Sequence, residues 1–247
     1  RVSIVHYRGA SENAPKFELN EDPDYTPVIE RTDRYVEMTA GGTRVRIGLE
    51  DWDVQYFYRN KRLTGGTSRS LTYIEEEKSH AARRLETQID EGFWSYPKNR
   101  KTSYIREQLD LSVGETIYGF GEKFTAFPKN GQSVQTWNAD GGTCCEQSYK
   151  SIPFCISSRG YGVFVNSSDN VSYEVGSDTV SKVSITVPGE SLEYFIIGGE
   201  NLRGVLSNYT TLTGKPALPP AWTFGLWLTT SFTTKYDEET IHSFIDG

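Results

Sequence analysis

The sequence predicts a mostly β protein: an antiparallel β-sandwich followed by one β/α unit of an incomplete β/α domain. Three observations predict it. Short stretches of alternating polar and apolar residues recur along the first two hundred positions with turn residues between them. Aromatic residues reach 13%, with 15 Tyr, 12 Phe and 5 Trp, a composition suited to pleated surfaces and to sugar-stacking faces alike. Near the end, Pro216, Pro219 and Pro220 punctuate the chain, and an apolar run and then a helical spacing follow them.

Taken in order, alternation predicts strands from Arg1 to Tyr7 and from Arg34 to Thr39. Gly41 and Gly42 then turn the chain into Arg44 to Leu49, where Val45, Ile47 and Leu49 share a face. Trp52, Val54, Tyr56 and Tyr58 form the next period-2 face before a turn at Arg59 to Lys61. From Ser68 to Lys101 the chain turns polar and charged. Ile74, Ala81, Leu85 and Ile89 allow an amphipathic helix there, and a solvated surface insertion is expected. Further strands are expected at Thr102 to Leu109, Thr116 to Phe120, Tyr161 to Val165, Val171 to Val175, Lys182 to Val187 and Leu192 to Ile197. Leu202, Val205, Leu206, Tyr209 and Leu212 repeat at three and four residues behind Asn201, and Gly214 is placed to end that helix. Trp222 to Leu228 is nearly all apolar, as in a strand covered on both faces. After Asp237, Glu238 and Glu239, residues Ile241, Phe244 and Ile245 fall at helical spacing. The expected organisation is a sandwich domain over 1–212, with the polar insertion at 68–101, and a linker plus barrel start over 213–247. A parallel strand needs further crossovers to cover its faces, so the second domain is expected to continue beyond Gly247.

Composition narrows the function. A net charge of −7 and an isoelectric point near 5.2, without a basic run or stripe, argue against nucleic acid and against an anionic membrane surface. No apolar run approaches the roughly 20 residues of a membrane helix. Cys144, Cys145 and Cys155 are odd in number and two are adjacent, which opposes a disulfide scaffold. Asn166, Asn170 and Asn208 begin glycosylation triplets, yet such triplets arise often by chance, and a cytoplasmic enzyme is favoured over a secreted one. His6, His80 and His242 lie on three unrelated segments, so the sequence offers neither a metal site nor a Ser-His-Asp triad, and no cofactor is expected. Oligomeric state is left open, a homo-oligomer included.

Three long segments carry a resemblance: YGFGEKFTAFPKNGQSVQTWNADGGT, EQSYKSIPFCISSRGYGVFVNSSD and PALPPAWTFGLWLTTSFTTKYDEETIHSFIDG. In this order and spacing the chain resembles glycoside hydrolase family 31, most of all its α-xylosidase branch. The likeness is weak before about Tyr104 and nearly unbroken after it. The resemblance implies a galactose-mutarotase-like sandwich, then the first β/α unit of a (β/α)8 barrel. It also implies a retaining hydrolase that releases terminal α-xylose from an oligosaccharide or xyloside with two Asp carboxyls. No Asp or Glu here matches either Asp motif, so no catalytic residue is assigned and both are expected beyond Gly247.

Three substrate-binding candidates follow from the resemblance. Phe232, at the first strand end, would wall the −1 subsite and exclude the hydroxymethyl group that separates glucose from xylose; the competing reading is packing between sandwich and barrel. Trp137 and Asp140, in the Trp-Asn-Ala-Asp-Gly-Gly loop, would reach over the barrel mouth, with Asp140 bonding sugar near the +1 side. Asp-Gly-Gly is also an ordinary turn. Tyr118 to Phe124 reads as structural: Gly119 and Gly121 permit bends or close approach, and Glu122 and Lys123 are placed to pair. A dinucleotide loop is excluded because no helix follows. The rival functions are an α-glucosidase of the same family, a non-catalytic carbohydrate-binding or structural sandwich, and an aldose epimerase, which would need a His and a Glu facing one sugar.

Overall fold

A computed structural model describes residues 1–6, 15–22, 24–76, 102–138, 148–227 and 237–246. They form three five-stranded antiparallel sheets, here numbered in chain order. The first carries β1 (Val2–Val5), β15 (Ser191–Gly198), β12 (Tyr161–Val165), β11 (Ser151–Ser157) and β9 (Ile117–Gly121), side by side in that order. The second carries β10 (Gln132–Thr136), β13 (Val171–Val175), β14 (Lys182–Pro188), β8 (Thr102–Asp110) and β7 (Leu71–Glu76). The third is a meander of β2 (Val28–Arg31), β3 (Tyr35–Ala40), β4 (Thr43–Gly48), β5 (Val54–Tyr58) and β6 (Lys61–Gly66).

Alternation decides what is buried. Tyr161, Val163, Val165, Leu192 and Tyr194 of the first sheet join Ile105, Leu109, Val171, Tyr173, Val175 and Ile185 of the second in one core. Each such side chain contributes roughly 1.5–3 kcal/mol on burial. The third sheet adds Val54, Tyr56 and Leu63 to the same cluster, and the Tyr56 and Tyr194 hydroxyls share a hydrogen bond of 2.9 Å. The other face of the first sheet is covered too. There Phe154, Phe164, Phe195 and Ile197 pack on Val205, Tyr209 and Leu212 of helix α1 (Leu202–Thr213). The helix begins where the Asn201 side chain accepts from Gly204 N at 2.9 Å, and Gly214 at φ 99° ends it, as the sequence predicts.

The end of β9 departs from ordinary strand geometry. Gly119, Phe120 and Gly121 all have positive φ (117°, 67° and 86°), which turns Phe120 fully into the core against Tyr173 at 4.5 Å between ring centres. A Cβ at Gly121 would lie 2.0 Å from the Lys150 carbonyl oxygen, and one at Gly119 would lie 2.8 Å from that of Phe154. Both glycines are therefore needed for conformation and for space.

Several expectations need correction. Residues 71–76, with Ile74 among them, form a strand paired with β8 rather than the start of a helix; 77–101 lie outside the described residues. Residues 221–224 form a 3₁₀ turn in place of the expected strand from Trp222 to Leu228, of which Leu228 is outside the described residues. No strand pairs with it among the described residues, so its backbone closes locally: Thr223 N donates to Pro220 O and Gly225 N to Trp222 O. The expected last helix is present as α2 (Glu238–Asp246), its first turn closed by Thr240 N donating to the Asp237 carboxylate at 2.9 Å. The chain divides into two compact units, Arg1–Gly214 and Lys215–Gly247.

Candidate functional site

One end of the sandwich gathers most of the motif residues. Gly121 of β9 pairs with Ser151 of β11, and Glu122 N donates to Lys150 O, so the segment leaving β9 lies beside the one entering β11. β10 ends at Thr136 in the second sheet, and the chain passes from it into β11 in the first. Residues 139–147 of that passage lie outside the described residues, and its two feet meet where Asn138 bridges Ser148.

Side chains tie these feet together. Ser151 N donates to Asn138 Oδ1 at 2.7 Å, and the Ser151 hydroxyl donates to the Trp137 carbonyl at 3.1 Å. Lys123 Nζ donates to that same hydroxyl at 2.8 Å and to Gln135 O at 2.7 Å, so one ammonium holds the last residues of β10 and the first of β11. The expected Glu122–Lys123 pair is replaced by an exposed Glu122–Lys150 contact of 3.3 Å, which contributes little in water. Lys129, almost fully buried, donates to Thr125 Oγ1 and to the Ala126 carbonyl. Gln132 Nε2 donates to the Ala126 and Pro128 carbonyls, which fixes the segment between β9 and β10. Burial lowers the Lys129 pKa, but this cation is held by carbonyl and hydroxyl oxygens alone among its described partners.

These anchors present aromatic faces to solvent. Trp137 is 45% exposed, Phe124 48%, Tyr149 62% and Phe127 77%, the last tilted on Tyr118 at 5.1 Å. Aromatic faces beside fixed polar groups suit sugar, whose ring carbons stack while its hydroxyls bond. Of the sequence-predicted site residues, Trp137 stands at this rim, whereas Asp140 and Phe232 lie outside the described residues. Ser151, and the reach of Lys123 to β10 and β11 in place of its expected pairing with Glu122, escaped the sequence reading. The available signal was a lysine two residues after a Gly-x-Gly bend, where a flexible cation can reach back over two strand ends.

The buried carboxylates do other work. Glu115 accepts from Ser112 N, the Ser157 hydroxyl and the Tyr161 hydroxyl at 2.5–2.8 Å. Glu193 accepts from Arg1 and Asn166 at 2.7 Å each, which holds its pKa down against burial. Asn166, the first glycosylation triplet, is thereby enclosed. Glu107 sits on the core face of β8 with Ile105 and Leu109, and burial pushes its pKa up to about 7. Cys155 is buried and its thiol is pushed up to about 12, leaving it inert; Cys144 and Cys145 lie outside the described residues. Among the described residues no group of three His, Cys, Asp or Glu gathers to hold a metal. His6 stacks on Tyr73 and His242 neighbours Glu238 on α2, while His80 lies outside the described residues.

A shallow concavity of about 500 Å³ lies at the opposite end of β11, lined by Tyr58, Arg59, Lys61, Arg159 and Glu200 among others. Its charges are engaged with one another and with backbone: Arg59 pairs with Glu200, Lys61 donates to Arg159 O, and Arg159 donates to Arg62 O. No helix among the described residues is long and apolar enough to cross a membrane.

Comparison with known proteins identifies the family of the chain. Residues 1–174 match the family model described as the glycosyl hydrolase 31 N-terminal galactose mutarotase-like domain. The whole chain aligns with an α-xylosidase of Emericella nidulans at 42% identity and with α-xylosidase XylQ of Lactiplantibacillus pentosus at 43%, covering 31% and 29% of their lengths. The chain thus spans about a third of those curated relatives. A dextranase of Flavobacterium johnsoniae superposes over 85% of this chain and 24% of its own, with a TM-score of 0.66 at 23% identity, a likeness of fold.

Proposed function

Because the chain belongs to glycoside hydrolase family 31 through its N-terminal galactose mutarotase-like domain, we propose that it is the N-terminal part of a retaining α-xylosidase. The observation that carries this reading is the alignment with two α-xylosidases at 42% and 43% identity over the whole chain, the part after the sandwich included. The substrate is an oligosaccharide or glycoside ending in α-xylose. Hydrolysis requires a nucleophilic carboxylate and a second carboxyl group as acid, then base, and both belong to barrel sequence outside these 247 residues. Glu115 and Glu193 are occupied with Ser157, Tyr161, Arg1 and Asn166, and Glu107 stands in the core rather than at a surface that a sugar could reach.

The chain's own part is to shape and cover the substrate site. Trp137 offers a face to the sugar ring from the sandwich rim. Asp140 accepts from hydroxyls of the leaving sugar at the +1 side. Phe232 fills the space that a hydroxymethyl group would occupy in the −1 subsite and so selects xylose over glucose. The domains are a sandwich through about Leu212 and a barrel that starts after the proline-rich linker. The test is to express the full-length polypeptide and compare xylose and glucose release from matched aryl α-glycosides. Faster xyloside cleavage is expected. Faster glucoside cleavage would make it an α-glucosidase, and turnover of neither would leave a binding or structural sandwich.

A further inference from the structure

We infer that Lys123 is the positioning residue for Trp137, holding the rim of the sandwich in the shape that the sugar meets. The inference rests on the reading of Trp137 as a sugar-contacting side chain. Its basis is where four hydrogen bonds fall. The Lys123 ammonium donates to the Gln135 carbonyl, two residues before Trp137, and to the Ser151 hydroxyl, which passes a bond on to the carbonyl of Trp137 itself. Ser151 N completes the ring by donating to Asn138 Oδ1, one residue after Trp137.

Geometry makes the role specific. β10 and β11 belong to different sheets, and Trp137 lies between them, one residue past the last pair of β10 and one before the Asn138–Ser148 bridge, with 45% of its surface exposed. A flexible surface residue carrying an aromatic ring would pay ordering entropy on each binding event. A charge-assisted bond from an ammonium to a carbonyl or hydroxyl is roughly twice as strong as a neutral one, so Lys123 orders this crossing in advance. Lys123 is itself fixed at its root. The positive-φ run at Gly119 to Gly121 ends β9 against the Lys150 carbonyl and aims the next residues across the two sheets. Glu122 N donating to Lys150 O holds the backbone on the other side of the same junction.

The experiment is a double-mutant cycle in the full-length enzyme with a xylosyl disaccharide. Trp137→Ala should raise KM about five-fold or more with a smaller change in kcat, as expected for loss of one aromatic–sugar face. Lys123→Met should raise KM similarly, and the double variant should be no worse than Trp137→Ala alone, because Lys123 acts through that ring. Lys123→Arg, which keeps donors of the same charge, should restore most of the affinity. Hydrogen exchange of peptides spanning 132–138 and 148–152 should quicken in Lys123→Met and stay slow in Lys123→Arg. If Lys123→Met is poorly folded, Ser151→Ala, which deletes the relay hydroxyl alone, carries the same cycle. Unchanged KM in Lys123→Met beside a raised KM in Trp137→Ala would overturn the positioning role and leave the Trp137 reading standing. Additive losses would overturn it too. Unchanged KM in Trp137→Ala would overturn the Trp137 reading and the inference with it.

Discussion

Glu107 occupies a place that alternation alone reveals: in Thr102–Asp110 it shares the core face with Ile105 and Leu109, so a carboxyl group stands in an apolar row. Tyr56 on β5, Tyr194 on β15, Ser70 before β7 and Lys182 on β14 are the polar groups that surround it, and its Oε2 has no hydrogen-bond partner among the described residues. Burial raises its pKa from 4.5 to about 7, so the folded state binds a proton that the unfolded state releases. The stability it supports is therefore complete below pH 4.5, declines as pH rises to about 7, and levels off above, a change of about 3 kcal/mol. Glu107→Gln should remove that slope. The check is urea denaturation of both proteins from pH 5 to 8, and parallel curves would show that Glu107 ionises in the fold as it does in water. Phe232 is legible for the opposite reason: no periodicity marks it, and it is read through family resemblance alone. Phe232→Ala in the full-length enzyme should narrow the xyloside-to-glucoside ratio of kcat/KM by about ten-fold or more. An unchanged ratio with lower activity on both sugars would mean that the ring packs rather than selects.

Strands were legible where one face is plainly apolar. Tyr161–Val165 and Val171–Val175 are read to the residue, and the other strands expected before Gly198 to within a residue or a few at their ends. The strands that escaped lack that signal for identifiable reasons. β2 is an edge strand exposed along its whole length, β6 ends in Thr-Gly-Gly, and β10 holds one apolar residue, Val134, among polar ones. β11 contains Pro153, which argues against an interior strand. The fold accommodates it because the ladder to β9 shifts register between Ser151 and Cys155, the stretch where Pro153 has no N–H to offer. The same junction depends on Gly121. Gly121→Ala must absorb a Cβ 2.0 Å from the Lys150 carbonyl and a φ of 86°, and it should lose at least about 3 kcal/mol by chemical denaturation. Gly114→Ala, at φ 74° with open space around it, isolates the conformational part and should lose about 1 kcal/mol. Equal losses would mean that the β9–β11 approach relaxes and that the register shift is not held by that glycine.

Across the whole molecule, the two units differ in what their sequences can finish. The sandwich unit closes a core over three sheets and backs one of them with α1, so the alternation read from sequence finds its partners within Arg1–Gly214. The unit Lys215–Gly247 carries the apolar content of a buried strand and an amphipathic helix without a sheet among its described residues. Trp222, Phe224, Leu226 and Trp227 are 66–85% exposed, and Ile241, Phe244 and Ile245 are 48–72% exposed. That is why the run from Trp222 reads as a strand and forms a turn here: its pattern answers to neighbours, and a ladder cannot form alone. Leaving Ile241, Phe244 and Ile245 in water forgoes roughly 1.5–3 kcal/mol for each, which drives association. The 247-residue polypeptide on its own should therefore elute as a self-associated species and show no turnover of aryl α-xylosides above a blank. Residues 1–214 expressed alone should elute as a monomer and melt cooperatively, because their core is complete without the second unit. A clean monomer of the 247-residue chain would mean that its exposed apolar residues find cover within it. Turnover from that monomer would place the catalytic carboxyls among the residues of this chain.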